Sequence, residues 1–218
     1  MARNIPGTKR GFGYDPEILG KTVYDCLVNT QIPMGRVIVD TRIENLKMAP
    51  TNILLSGAEF ELASLPGREY ILSQRLQLLD DSFDICVIDC SPSLSLLTLN
   101  ALVASGEVLI PVQTHYYALE GLKQLLETIE VVRERFNPNL RILGLLLTFV
   151  ERRTMLSKQV QEQIRSYFGK LVFNSVIHRT VKLAEAPSAG EPVLTYAPAS
   201  KATAEYMNLA REITNGKA

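Results

Sequence analysis

The absences in this sequence narrow it first. Its 218 residues carry 23 basic and 23 acidic side chains, so the formal charge is zero and the chain as a whole is no polycation. Three cysteines (Cys26, Cys86 and Cys90) form an odd set with neither disulfide nor metal-ligand spacing. For Cys86 and Cys90, which flank or lie in an apolar run, a reduced and buried thiol is the expected state. No apolar run reaches the ~18 residues of a membrane span and no signal peptide is evident, so a soluble cytoplasmic protein is expected. Internal repeats, low-complexity tracts and evident linkers are missing too. The length fits one α/β domain spanning residues 1–218, with residues 1–12 expected to be loop or disordered.

A glycine-rich phosphate loop is also missing. Gly20-Lys21-Thr22 has the ending of the pattern G-x-x-x-x-G-K-[ST], but Asp15 stands where the first glycine is required. The preceding stretch, Arg10 to Pro16, is polar and glycine-rich rather than an apolar strand. Without both, the backbone amides cannot form an anion nest, and an ordinary helix segment is the expected structure.

What is present is a regular alternation of elements. Asp15-Pro16-Glu17 opens a helix-like stretch through Leu27, with Asp15 as a plausible cap. Leu46 to Met48 is a short strand candidate. Glu59–Leu65 and Tyr70–Leu79 read as helices split by Pro66-Gly67. Strand Phe83–Asp89, helix Ser95–Ala104, strand Val108–Val112, the long amphipathic helix Ala118–Phe136 and strand Arg141–Thr148 follow. Helix Ser157–Phe168, strand Val172–Ile177 and helix Ala202–Ile213 close the set. Strands alternating with helices imply right-handed crossovers and a mostly parallel sheet flanked by helices.

Two features bear chemistry. The run from Asp84 to Cys90 reads as a buried parallel strand ending on Asp89, at the edge where open α/β sheets bind ligands. Such a carboxylate can hold Mg²⁺, directly or through water, beside a nucleotide's phosphates, although a lone Asp can equally cap the next turn. Ser91, Pro92 and Ser93 shape the turn and offer hydroxyls to a ligand. The second feature is the segment Arg133–Lys182, with ten basic and three acidic residues and a net charge of +7. It can be a nucleic-acid face, or a set of helix surfaces whose charges scatter in space. For Tyr116-Tyr117, helix packing and base stacking both stay open.

Asp89-Cys90-Ser91-Pro92-Ser93-Leu94 and the following Leu96–Leu102 resemble the second aspartate motif of the ParA/Soj chromosome- and plasmid-partitioning ATPases. Ala58–Leu62, Leu65–Tyr70, Glu107–Gln113, Tyr116–Leu122, Leu145–Thr148 and Val181–Ser188 are similar to family segments in the same order. The resemblance covers about Gly7 to Arg211. It implies a P-loop NTPase fold of the ParA/MinD type and ATP hydrolysis coupled to dimerisation. It also implies ATP and Mg²⁺ as cofactors, non-specific DNA binding at the nucleoid, a homodimer or swapped dimer, and a ParB-like partner protein. On this reading Asp89 positions Mg²⁺, Ser91, Pro92 and Ser93 form a γ-phosphate-sensing turn, and Thr148 and His178 associate with the nucleotide. His178 stands where the family has a proline. Arg152, Arg153, Arg179 and Lys182, at strand–helix junctions, are the DNA-binding candidates.

The resemblance also defines a gap. The family's two-lysine phosphate loop and first catalytic aspartate, carried on a first strand–helix–strand, have no counterpart here. The match begins near Gly7-Thr8-Lys9-Arg10-Gly11, after the point where those elements end. The strand carrying Asp89 is then expected to expose an unpaired edge, and this polypeptide alone is not expected to hydrolyse ATP. Three readings follow: a partition ATPase lacking its phosphate loop, a non-enzymatic relative that regulates a complete ATPase or binds DNA beside it, and a misassigned start or deliberately shortened polypeptide.

Overall fold

Thr22 opens the first helix of the computed structural model, which describes residues 12, 20–79, 83–91, 93, 95–115, 118–151 and 154–215. The expected cap Asp15, together with Pro92, Tyr116, Tyr117, Arg152 and Arg153, lies outside the described residues. Thr22 precedes helix α1 (Val23–Val28), and its backbone N–H donates to Asp25 Oδ2 at 2.8 Å, satisfying a helix-terminal donor. Gly20-Lys21-Thr22 is thus the entry to a helix rather than the expected helix segment, since α1 begins only at Val23. The described residues group into two units, one built from 20–79, 83–106 and 128–140, the other from 107–127 and 141–215.

In the first unit, β1 (Val39–Asp40) and β2 (Lys47–Met48) form a small antiparallel ribbon. Helices α2 (Leu55–Leu62) and α3 (Ile71–Gln77) are separated at Pro66-Gly67, where Gly67 takes φ +67°. A side chain is strained at that left-handed turn, which is why glycine belongs there. Helix α4 (Leu96–Ala104) is capped by Ser95. Cys26, Leu27, Met34, Val37, Ala58, Leu62, Ile71, Leu72 and Ala101 form the core. One polar side chain is built into it. Asn100, 1% exposed, accepts from the Leu72 N–H (3.0 Å) and donates to the carbonyls of Arg68 (2.8 Å) and Leu96 (3.0 Å).

Phe83–Asp89 corrects an expectation. Residues 83–91 pair with no strand among the described residues, and Ile85 and Val87 are 70% and 87% exposed. Asp89 therefore does not end a buried strand. Apolar character alone does not make a strand; a second backbone must meet its N–H and C=O groups. Cys86 and Cys90 are correspondingly exposed rather than buried, and only Cys26 of the three free thiols is enclosed.

In the second unit, β3 (Glu107–Gln113), β4 (Arg141–Val150) and β5 (Val172–His178) form a parallel sheet in the order β3-β4-β5. Helix α5 (Ala118–Arg135) starts in this unit and ends in the other. Residues 144–147 of the central β4 are continuously buried, the pattern of a parallel strand covered on both faces. Helices α6 (Met155–Phe168), α7 (Val181–Ala189), the short α8 (Val193–Tyr196) and α9 (Lys201–Thr214) complete the unit. Leu146, Phe173, Ile177 and Leu209 form one core cluster, and Ala186, Val193 and Ala202 another. Strand–helix alternation and parallel pairing are as expected. Helices α7 and α8 were not.

Replacing Asn100 with Ala leaves the Leu72 N–H and two carbonyls without their side-chain partner. The expected cost is about 2–4 kcal/mol, measured by urea unfolding; a cost below about 1 kcal/mol contradicts the role given to this side chain.

Candidate functional site

The sheet of the second unit ends in an open cleft. Val150 and His178, the last residues of β4 and β5, are register partners, and the Arg179 N–H donates to the Val150 carbonyl at 3.2 Å. The carboxyl ends of parallel strands are where α/β sheets hold ligands, because strand and helix part there and leave a crevice. The cleft measures about 570 Å³, and His178, Arg179, Thr180, Lys182, Ser200 and Lys201 line it with Glu151.

Three devices fix this geometry. Thr180 caps α7, its hydroxyl accepting from the Lys182 N–H at 3.1 Å, which sets Arg179 and Lys182 on either side of a helix start. Ser200 caps α9 in the same way and brings in Lys201. At the end of β4, Phe149 has φ +53°, a conformation that side chains other than glycine rarely adopt. Buried hydroxyls hold that turn. Thr114 Oγ1 donates to the Phe149 carbonyl (3.3 Å), and Ser157 Oγ accepts from the Glu151 N–H (3.2 Å).

Glu205 anchors the cleft's far wall. Its Oε2 accepts from the His178 N–H at 3.0 Å, and its Oε1 lies 2.7 Å from His178 Nδ1 and 3.1 Å from Lys201 Nζ. Lys201 Nζ also lies 3.3 Å from His178 Nδ1, so the carboxylate, the ammonium and the imidazole form one cluster. Burial pushes the Glu205 carboxyl up, but the His178 N–H, Lys201 and the imidazole together outweigh burial and hold it below its usual range. Further along α9, Glu212 accepts from the N–H groups of Asn174 (2.7 Å) and Ser175 (2.9 Å). The two glutamates thereby occupy donors on the outer side of β5, an edge strand of the sheet.

The cations are themselves engaged. Arg179 Nη1 meets Glu151 Oε1 at 3.0 Å, and Lys182 Nζ meets Glu185 Oε2 at 3.0 Å. The Lys182 ammonium also lies 5.6 Å from the centre of the Tyr196 ring. Its bond to Glu185 holds the Lys182 pKa above the usual value, and Lys182 followed by the Tyr196 hydroxyl holds Glu185 below its own.

Of the residues singled out from sequence, His178, Arg179 and Lys182 meet in this cleft. Thr148, on β4 opposite Gln113, lies in the same unit but does not line the cleft. Asp89, Ser91 and Ser93 belong to the other unit. There Ser91 Oγ and Ser93 Oγ are 3.1 Å apart, and Thr98 Oγ1 donates to the Ser93 carbonyl at 2.6 Å. Asp89 is exposed and stands close in sequence to the two hydroxyls, and a single carboxylate is the kind of group a protein supplies to Mg²⁺ next to phosphates, where water and substrate oxygens complete the shell. It does not suffice for a metal alone, and no cluster of three His, Cys, Asp or Glu exists among the described residues. Sequence reasoning missed Lys201, Ser200 and Glu205, which fall beyond the basic segment. The signal was Ser200 preceding an amphipathic run, a helix start that brings Lys201 with it.

A parallel α/β sheet with a ligand cleft at its carboxyl edge is the architecture of P-loop ATPases, and comparison with known proteins agrees. A family described as "AAA domain" matches residues 7–142. The sporulation initiation inhibitor protein Soj of Bacillus subtilis is 44% identical over 203 residues, covering 93% of this chain and 80% of its own length. The chromosome partitioning protein ParA of Myxococcus xanthus is 42% identical over 203 residues, covering 93% of this chain and 71% of its own. Among solved structures, cobyrinic acid a,c-diamide synthase from Mycobacterium smegmatis with bound ADP and magnesium superposes with a TM-score of 0.75. It is 34% identical, over 94% of this chain and 78% of that one. The chain belongs to the ParA/Soj family of chromosome-partitioning ATPases.

The depressed Glu205 pKa sets an acid limit. The group stabilises the fold above its unfolded pKa, and that contribution disappears as pH falls through the lower folded value. Glu205→Gln is expected to flatten the acid limb of a stability-against-pH curve below about pH 4.5; an unchanged limb assigns the acid sensitivity elsewhere.

Proposed function

We propose that this chain acts in DNA partition and that the cleft between the ends of β4 and β5 contacts the phosphate backbone without reading sequence. The observation that carries this reading is the convergence of Arg179, Lys182 and Lys201 on one open cleft at the carboxyl edge of the sheet. Phosphate contacts need positive charge on an accessible surface, not base-reading geometry. Arg179 and Lys182 keep 69% and 52% of their side chains exposed. Arg152 and Arg153, adjacent in sequence to Glu151, are further candidates.

The family resemblance supports a homodimer or swapped dimer as the working form, a ParB-like protein as partner, and the nucleoid as the place of action. Residues 83–91 have no pairing strand among the described residues and expose Ile85 and Val87, which favours a partner that supplies a strand there. For nucleotide, Asp89 would hold Mg²⁺ through water, with Ser91 and Ser93 as hydroxyl donors to a phosphate; for Thr148 and His178, a nucleotide role rests on the family resemblance. A bound ATP–Mg²⁺ would supply the energy source of the family's dimer cycle. No lysine pair of this sequence matches the family's phosphate loop, so the polypeptide by itself does not turn ATP over. A second reading is a non-enzymatic relative that regulates a complete ATPase or binds DNA beside it.

Binding to random-sequence duplex DNA is expected to weaken linearly in log–log coordinates with salt. Arg179→Gln and Lys182→Gln should each make the slope shallower by up to about 0.9. A slope unaffected by both removes the cleft from the DNA surface. Mg²⁺-dependent ATP turnover by the purified chain that is abolished in Asp89→Ala would refute the inactivity, whereas DNA binding without added ATP supports the non-enzymatic reading.

A further inference from the structure

Two of the cations assigned to DNA, Arg179 and Lys182, each already hold a carboxylate of their own chain; one of the two acidic residues is anchored through its backbone and the other through its carboxylate. Glu151, which pairs with Arg179 at 3.0 Å, has its backbone N–H bound by Ser157 Oγ at 3.2 Å. Ser157 is 2% exposed and shares a 3.0 Å hydrogen bond with Thr114, 3% exposed. Glu185, which pairs with Lys182 at 3.0 Å, accepts a second bond from the Tyr196 hydroxyl at 3.2 Å, and the Tyr196 ring faces the Lys182 ammonium.

We infer that Glu151 and Glu185 are intramolecular competitors of DNA phosphate, which hold the affinity of this cleft below what its cations alone would give. The inference rests on the reading that the cleft faces DNA. Exposed ion pairs are generally weak because two long side chains must give up their freedom to meet. Glu185 is already restrained by the Tyr196 hydroxyl, so less freedom is lost when its pair forms and the carboxylate competes better with an incoming phosphate; Glu151 is fixed at its backbone, which places its side chain within reach of Arg179. Counterion balance adds to this. A cation that leaves a carboxylate for a phosphate releases an ion from DNA, but the freed carboxylate is then screened by an excess of cations drawn from solution. Net ion release at that contact falls, and with it the salt dependence. Glu205 differs, because its carboxylate also serves the His178 backbone and cannot be exchanged without opening the edge of β5.

The test is fluorescence anisotropy of the full chain with labelled random-sequence duplex DNA, titrated between about 50 and 200 mM salt. Glu151→Gln and Glu185→Gln keep the side-chain shape and remove the charge. Each is expected to tighten binding up to about fivefold at the low-salt end and to steepen the log–log slope by up to about 0.9. Tyr196→Phe, which frees Glu185 from its anchor, should give part of the Glu185→Gln gain. Glu191→Gln, at an exposed acid of the same unit with no ion pair among the described residues, is the control for overall charge and should change binding less. Equal gains in all three Gln variants reduce the effect to net charge and overturn the inference. So does unchanged binding in Glu151→Gln and Glu185→Gln while Arg179→Gln and Lys182→Gln weaken it, an outcome that leaves the DNA reading standing. Absence of salt-dependent binding in every variant and in the parent chain overturns the DNA reading itself.

Discussion

Hydrogen bonding of β4 along both of its edges is the constraint from which the unit around it follows. A parallel strand in the middle of a sheet is paired on both sides; the register of β4 shifts once against β3, between Val108 and Leu109, and twice against β5, on either side of Leu147. That register brings Val150 level with His178. Once those two ends are level, the chain leaves the sheet at the same height on both strands, and the helices that follow open a crevice between them. Residues 83–91 of the other unit present the opposite case. They carry the apolar side chains of a strand but meet no pairing backbone among the described residues; Ile85 and Val87 stay in solvent, while Ile88 packs partly against the core. The same side-chain chemistry thus yields a buried strand or an exposed segment according to whether a neighbouring backbone is present.

Electrostatically, the cleft is closer to a balanced array than to a bare cationic patch. Arg179, Lys182 and Lys201 each face a carboxylate at 3.0–3.1 Å, and one of those carboxylates, Glu205, also serves the strand edge. A count of basic residues along the sequence overstates the field such a surface presents, because it omits partners that lie far away in the chain. Arg141 of the basic segment, for example, pairs with Glu107, which lies outside it.

Helix and strand patterning carried most of the fold of the second unit, since amphipathic helices and apolar strands alternate there with clear caps and turns. Helix α7 escaped because Pro187 lies inside it. Proline normally argues against a helix interior, yet this one lies in the last turn, and Gly190 closes the helix at φ +70°. The placement of 83–91 was not legible, because strand formation there depends on another stretch of backbone rather than on its own residues. In the candidate site, the junction residues His178, Arg179 and Lys182 were found from their position after a strand. Lys201 and Glu205 were not, because only the packing of α9 against β5 brings them within reach of His178.

The pair of glutamates on α9 acts as a length gauge. Glu205 and Glu212 are seven residues apart, about 10 Å along a helix axis, and their targets at His178 and at Asn174 and Ser175 are spaced to match along β5. Helix and strand run in opposite directions across that contact. Adding or deleting a single residue between Glu205 and Glu212 would turn one carboxylate about 100° away from the strand, and the outer edge of β5 would lose half its cover. Homologous sequences that keep both glutamates should therefore vary freely in composition across this stretch but not in length.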